Sequence, residues 1–150
     1  MMRTRLVARV MLGVAIAGAL AYLYDPPWIG RVTSGLRDWE QDEAGTRYRW
    51  TNGHATFFVP REATAMTVPL RAVYPSPAGG PVAVDLSIDD RWLARLELAD
   101  PGAWLRSTLS LSWVRTHRRY RRVDLRVGRV VTSFNRGVQL GEVELRLRDQ

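Results

Sequence analysis

Apolar residues run almost without interruption from Val10 to Tyr24, after Arg3, Arg5 and Arg9 and with no anion before them. The 19 residues from Leu6 to Tyr24 make a helix of about 28 Å, close to the hydrocarbon thickness of a bilayer. Arg9 falls inside that stretch, one turn from its end, where its guanidinium reaches the headgroups. The pattern predicts a transmembrane anchor over 1–24. Within it, Gly13, Ala17 and Gly18 leave one side of the helix narrow and suited to close packing by another helix. A cleaved signal peptide is the alternative, because Ala19-Leu20-Ala21 has the small-x-small form of a cleavage site. Tyr22, Tyr24 and Trp28 stand where an interfacial aromatic belt belongs and favour retention. With arginines only ahead of the helix, the N-terminus is expected in the cytoplasm of a bacterium and residues 25–150 in its periplasm.

The period then stays near 3.6. Trp28, Ile29, Val32, Leu36 and Trp39 recur at helical spacing after Asp25-Pro26-Pro27, where Asp25 is placed to cap a helix and Pro26 to occupy its first turn. A short amphipathic helix lying on the membrane surface is expected within 25–44, with Trp28 and Trp39 as anchors. The same stripe packed against the following domain is the alternative, and Gly30 and Gly35 weaken either helix.

From Gly45 the period falls to 2, with turn residues every 8 to 12 positions. Tyr48 and Trp50 alternate with Arg47 and Arg49, and Asn52-Gly53 reads as a hairpin loop before Ala55 to Val59. Met66, Val68, Leu70, Ala72 and Tyr74 share one face, with Pro69 marking an edge strand or a bulge. Val82, Val84, Leu86 and Ile88 alternate most regularly, and Asp89-Asp90 turns the chain into Trp92, Ala94, Leu96 and Leu98. Leu109, Leu111 and Trp113, then Val123, Leu125 and Val127, continue the series. Val143, Leu145 and Leu147 close it as a half-buried strand. Seven to nine strands without intervening helices predict an all-β domain over 45–150, an antiparallel two-sheet sandwich of jelly-roll type.

The stretch 35–60, with Glu40, Gly45, Tyr48-Arg49-Trp50-Thr51 and Phe58-Val59-Pro60, resembles the opening of small β-sandwich ectodomains of bacterial membrane glycosyltransferases and related membrane proteins. Arg136-Gly137-Val138-Gln139-Leu140-Gly141 and the strand after it are similar to the way those domains end. The resemblance implies a jelly-roll ectodomain. It brings no catalytic residues, and the chain has no glycosyltransferase body.

Composition narrows the chemistry. All 22 cations are arginine, against 15 acids, with two histidines and no cysteine. Thiolate zinc sites, disulfides, cysteine nucleophiles and histidine clusters are thereby excluded. Positive charge gathers between 115 and 136, where Arg115, Arg118, Arg119, Arg121 and Arg122 are extended by Arg126, Arg129 and Arg136. That stretch suits anionic lipid headgroups or an acidic partner. Nucleic acid is not expected on the far side of a membrane. The alternative is a solvated loop whose arginines pair with the domain's own acids. Of the six tryptophans, Trp50, Trp92 and Trp113 fall at inward positions, and only Trp104 is placed to stack on a sugar ring. Asp85, Asp89, Asp90 and Asp100 lack calcium-loop spacing, Glu40 and Glu62 are isolated, and His54 and His117 belong to no ligand motif.

The function expected is non-enzymatic and without cofactor. The chain reads as a single-pass accessory or stabilising subunit whose partners are other integral membrane proteins. The alternative is a glycan-binding module assisting a membrane glycosyltransferase.

Overall fold

The computed structural model describes residues 2–128 and 136–148. An α-helix, α1 (Met2–Tyr24), is followed by a single 3-10 turn at Ile29–Arg31 and ten strands. These are β1 (Ser34–Leu36), β2 (Glu40–Gln41), β3 (Arg47–Pro60), β4 (Ala63–Arg71), β5 (Val82–Ile88), β6 (Arg91–Leu98), β7 (Leu105–Ser110), β8 (Tyr120–Val127), β9 (Gln139–Gly141) and β10 (Glu144–Leu147).

Every pairing is antiparallel. The second half of β3 lies between β1 and β8, and β5 and β6 complete that sheet. The first half of β3 lies between β2 and β9, with β4, β10 and β7 beyond. The two sheets close on one apolar core. Phe57, Val59, Val84, Leu86, Ile88, Val123 and Leu125 come from the first sheet, and Met66, Val68, Leu70 and Leu140 from the second. Each such Leu, Ile, Met or Val, taken out of water, contributes roughly 1.5–3 kcal/mol. The alternating runs of β4 and β5 point inward as their spacing predicts.

Local backbone chemistry places the turns. Asp89 and Asp90 both adopt positive φ, 48° and 64°, a geometry whose twist matches the strands it joins and which aspartate tolerates. Asp89 Oδ1 accepts the Arg122 N–H at 2.9 Å, and the Asp89 N–H donates to the Arg122 carbonyl at 2.9 Å. That β5–β6 turn is thereby stitched to β8.

Several expectations are corrected. The stripe from Trp28 to Trp39 is one 3-10 turn followed by β1 and β2, not an amphipathic helix. Gly35 is the cause: its φ is +67° and a Cβ there would strike the His54 carbonyl, so the chain runs close along β3 instead of coiling. Asn52-Gly53 is not a hairpin loop. Gly53, at φ +89°, marks the corner where β3 leaves one sheet for the other. Pro69 is not on an edge strand, for β4 has neighbours on both sides. It stands where the ladder changes partner, between Thr67 opposite Glu144 and Leu70 opposite Leu140, so the missing N–H costs no pairing there.

The three tryptophans read as inward are not part of the apolar core: Trp50 is buried on the opposite face of its sheet, in the row of Gln139 and Arg71, and Trp92 and Trp113 are exposed. Leu86 pairs with Ala94 but Ser87 with Trp92, so Leu93 is a bulge residue. It packs on the core while Trp92 turns out, at 68% exposure. A bulge of this kind inverts the alternation on one side of it. Trp113 lies in a turn closed by the Val114 N–H donating to the Leu111 carbonyl. Leu111 and Val114 are buried and Trp113 is half-exposed. In β10, Leu145 and Leu147 are exposed and only Val143, before the strand, packs on the core. β10 ends the strand order, and its residues are exposed.

Candidate functional site

Chemistry-bearing residues collect on two surfaces. The first is the face of the second sheet turned away from the core. Leu70 and Leu140 point inward, so their chain neighbours Arg71 and Gln139, themselves a cross-strand pair, point outward. Trp50 pairs with Gln139 and Tyr48 with Gly141 in the same rows. Trp50 is 4% exposed yet lies outside the apolar core cluster. Tyr48 covers it edge-on at 6.3 Å, Tyr74 lies at 5.7 Å, and the Arg136 guanidinium lies 4.9 Å from its ring centre.

Arg71 organises this face. Its guanidinium lies 4.4 Å from the ring centre of Trp104 and 5.5 Å from that of Tyr48. Its Nε donates to Gln139 Oε1 at 2.6 Å and its Nη1 to Asp42 Oδ2 at 3.1 Å. Gly141 lets the indole of Trp104 lie against the sheet, since a Cβ there would press on Pro69 and touch that ring. The Tyr48 hydroxyl donates to Glu40 Oε2 at 3.0 Å. Burial, and after it this bond to Glu40, raise the tyrosine's pKa. Asp42 is held below the usual carboxylate value, first by the Thr46 N–H and, against its burial, by Arg71. The indole N–H groups of Trp50 and Trp104 are buried and have no acceptor among the described residues.

Such a face offers the partly exposed rings of Tyr48, Tyr74 and Trp104, with Trp50 buried among them, for the C–H side of a sugar, and a guanidinium and carboxylates for its hydroxyls. Trp104 was legible as a candidate. Tyr48, Trp50, Arg71, Gln139 and Glu40 were not. The alternation of Tyr48 and Trp50 was visible, but period 2 does not say which face a second sheet will cover.

The second surface is the end of the sandwich from which α1 departs. The Arg119 N–H donates to both carboxylate oxygens of Asp25, at 3.0 and 3.2 Å, and its side chain pairs with the same group at 3.6 Å. The Arg118 guanidinium lies 4.7 Å from the ring centre of Tyr24. A cavity of about 510 Å³ opens between the helix end, the Asp89-Asp90 turn and the loop from Arg115 to Arg118.

The basic stretch divides by role. Arg121 is 5% exposed and faces inward, donating to the carbonyls of Leu111 at 2.9 Å, Ala63 at 3.2 Å and Arg61. Its burial lowers its pKa. Arg122 bonds Asp124 at 2.9 Å and also Asp90. Arg136 belongs to the Trp50 cluster, and Arg129 lies outside the described residues. Arg115 has no ion pair among the described residues.

Tyr22, Tyr24 and Trp28 are exposed around the helix exit. Trp39 is separate from them, lying under Arg47 and Arg49 of β3, whose guanidinium groups are 4.8 and 5.5 Å from its ring centre. Gly13, Ala17 and Gly18 lie on the exposed surface of α1, and a Cβ at either glycine would meet nothing within 4 Å. Among the described residues α1 is the one helix long and apolar enough to cross a bilayer, a test that a signal sequence also passes.

No protein-family model matches the chain, and no curated protein matches it significantly. Among solved structures it is similar to a sugar-binding protein, the EclA C-terminal domain, at 13% identity and a TM-score of 0.46, covering 73% of this chain and 90% of that one. It is also similar to a family 6 carbohydrate-binding module, at 11% identity and a TM-score of 0.47, covering 78% and 87%. A family 35 carbohydrate-binding module from Clostridium thermocellum matches at 9% identity and a TM-score of 0.47, covering 75% and 88%. These likenesses are loose, and the architecture rests on the strand pairings described above.

Proposed function

We propose that the chain is a non-catalytic glycan-binding module, held by α1 at the outer face of a bacterial inner membrane. The observation that carries this reading is the cluster of Tyr48, Trp50, Tyr74 and Trp104 around Arg71, on a sheet face that the core does not need. Core packing accounts for inward aromatics, whereas these four turn away from it among groups that hydrogen-bond sugars. The resemblance to glycosyltransferase ectodomains favours an envelope polysaccharide as the ligand.

Calorimetric titration of the full chain in detergent against a panel of envelope polysaccharide fragments tests the proposal. At least one fragment binds, and Trp104→Ala weakens it about tenfold, the loss of one good stacking contact, while Trp92→Ala leaves it unchanged. Failure of every fragment to bind, or equal affinity for wild type and Trp104→Ala, contradicts the proposal.

A second reading, an accessory subunit of a membrane complex, rests on the small residues Gly13, Ala17 and Gly18 of α1, which suit close packing by another helix. A stoichiometric membrane partner, retained from native membranes by wild type and lost from Gly13→Leu/Gly18→Leu, would move the assignment there. Wild type extracted without a partner removes it.

A further inference from the structure

The cavity at the helix exit holds more positive charge than its own acids neutralise. Four arginines line it, Arg91, Arg115, Arg118 and Arg122, against Asp25, Asp89 and Asp90. All three acids are engaged: Asp25 by Arg119, Asp90 by Arg122, and Asp89 by the Arg122 N–H. Arg91, Arg115 and Arg118 have no carboxylate partner among the described residues. Three cations facing one cavity repel one another, and an anion held between them relieves that repulsion.

The position of the cavity selects the anion. Leu23 and Tyr24, the last residues of α1, form part of its wall, and Leu20 and Leu23 are exposed on the helix, at 62% and 70%. If α1 spans the bilayer, its end lies at headgroup depth. Apolar helix surface and basic cavity then adjoin in the order in which a phospholipid presents its chains and its phosphate. The same end of the sandwich exposes Trp28, Trp92 and Trp113 at 50%, 68% and 49%, residues that favour the interfacial layer. Its volume, about 510 Å³, admits a glycerophosphate group.

We infer that this cavity binds the phosphate of an anionic phospholipid through Arg115 and Arg118, with the acyl chains lying along α1, and so sets the sandwich's end on the membrane surface. The inference rests on the membrane-tethered part of the proposed function and is independent of glycan binding.

Native mass spectrometry of the full chain in neutral micelles doped with equal amounts of phosphatidylglycerol and phosphatidylcholine tests it without requiring insertion. Wild type retains one phosphatidylglycerol in preference to phosphatidylcholine. Arg115→Gln/Arg118→Gln loses that preference on the order of tenfold, and Arg126→Gln, a charge removed on β8 away from the cavity, keeps it. Equal retention of the two lipids by wild type, or an unchanged preference in the double variant, overturns the inference. So does loss of the bound lipid to millimolar inorganic phosphate, since the site would then read free phosphate. Flotation of the chain with neutral phosphatidylcholine vesicles, measured in parallel, reports on the tether alone, and both forms of the chain float if α1 inserts.

Discussion

Asp124 occupies a site that an isolated carboxylate would not tolerate. It is 7% exposed, and burial by itself pushes its pKa up. The Thr56 hydroxyl at 2.6 Å and Arg122 at 2.9 Å outweigh that, with His54 at 3.5 Å adding to them, and hold the pKa below its ordinary 3.8. The folded state therefore binds this proton less readily than the unfolded chain. The stabilisation is present in full above the unfolded value and is lost as pH falls through the folded one. Denaturant unfolding from pH 7 to pH 3 measures it: wild type loses stability below about pH 5. Asp124→Asn starts about 2 kcal/mol lower at pH 7 and shows a shallower acid decline. Parallel curves for the two proteins would refute this assignment. Arg121 is the cationic counterpart. It reads as one more charge in a basic run, and its three carbonyl partners make it a brace between β4 and the end of β7.

At the scale of elements, two glycines with similar backbone angles carry different loads. Gly53 has φ +89° and open space where a Cβ would go, whereas Gly35 has φ +67° and the His54 carbonyl in that space. Gly53→Ala is expected to cost about 1–2 kcal/mol for the left-handed backbone alone. Gly35→Ala adds a steric overlap that lifts β1 from β3, for a total above about 3 kcal/mol. Urea midpoints of the two variants decide the matter, and equal losses would mean that the β1–β3 approach does not need glycine. These residues also show how far the elements were legible in the sequence. The inward runs of β4, β5 and β8 were readable because apolar residues alternate there without interruption. The stripe from Trp28 to Trp39 was misread because a period near 3.6 describes a helix only if the backbone can coil, and Gly35 instead supplies a close strand approach. Trp92 was misread because a single bulge residue, Leu93, carries no mark in composition yet reverses every position beyond it.

The whole molecule separates two candidate binding surfaces by placement. One end of the sandwich meets α1 with arginines and exposed tryptophans, while the aromatic cluster around Arg71 lies on the outer face of one sheet. The first was partly legible, since the run from Arg115 to Arg122 is dense in charge, although its division into a brace, an acid-paired residue and cavity-lining residues depends on pairings across the fold. The second was represented in the sequence by Trp104 alone, because Tyr48, Arg71 and Gln139 come from three strands that only the sheet order brings together. The central claim is that this outer face, and no other aromatic surface of the chain, receives a glycan. The indole N–H resonances of the six tryptophans, followed by nitrogen-15 NMR of the full chain in micelles as a binding polysaccharide fragment is added, test it most directly. The Trp104 and Trp50 signals, whose N–H groups have no acceptor among the described residues, are expected to move while those of Trp92 and Trp113 stay. Movement confined to Trp92 or Trp113, with Trp50 and Trp104 unchanged, would contradict the claim.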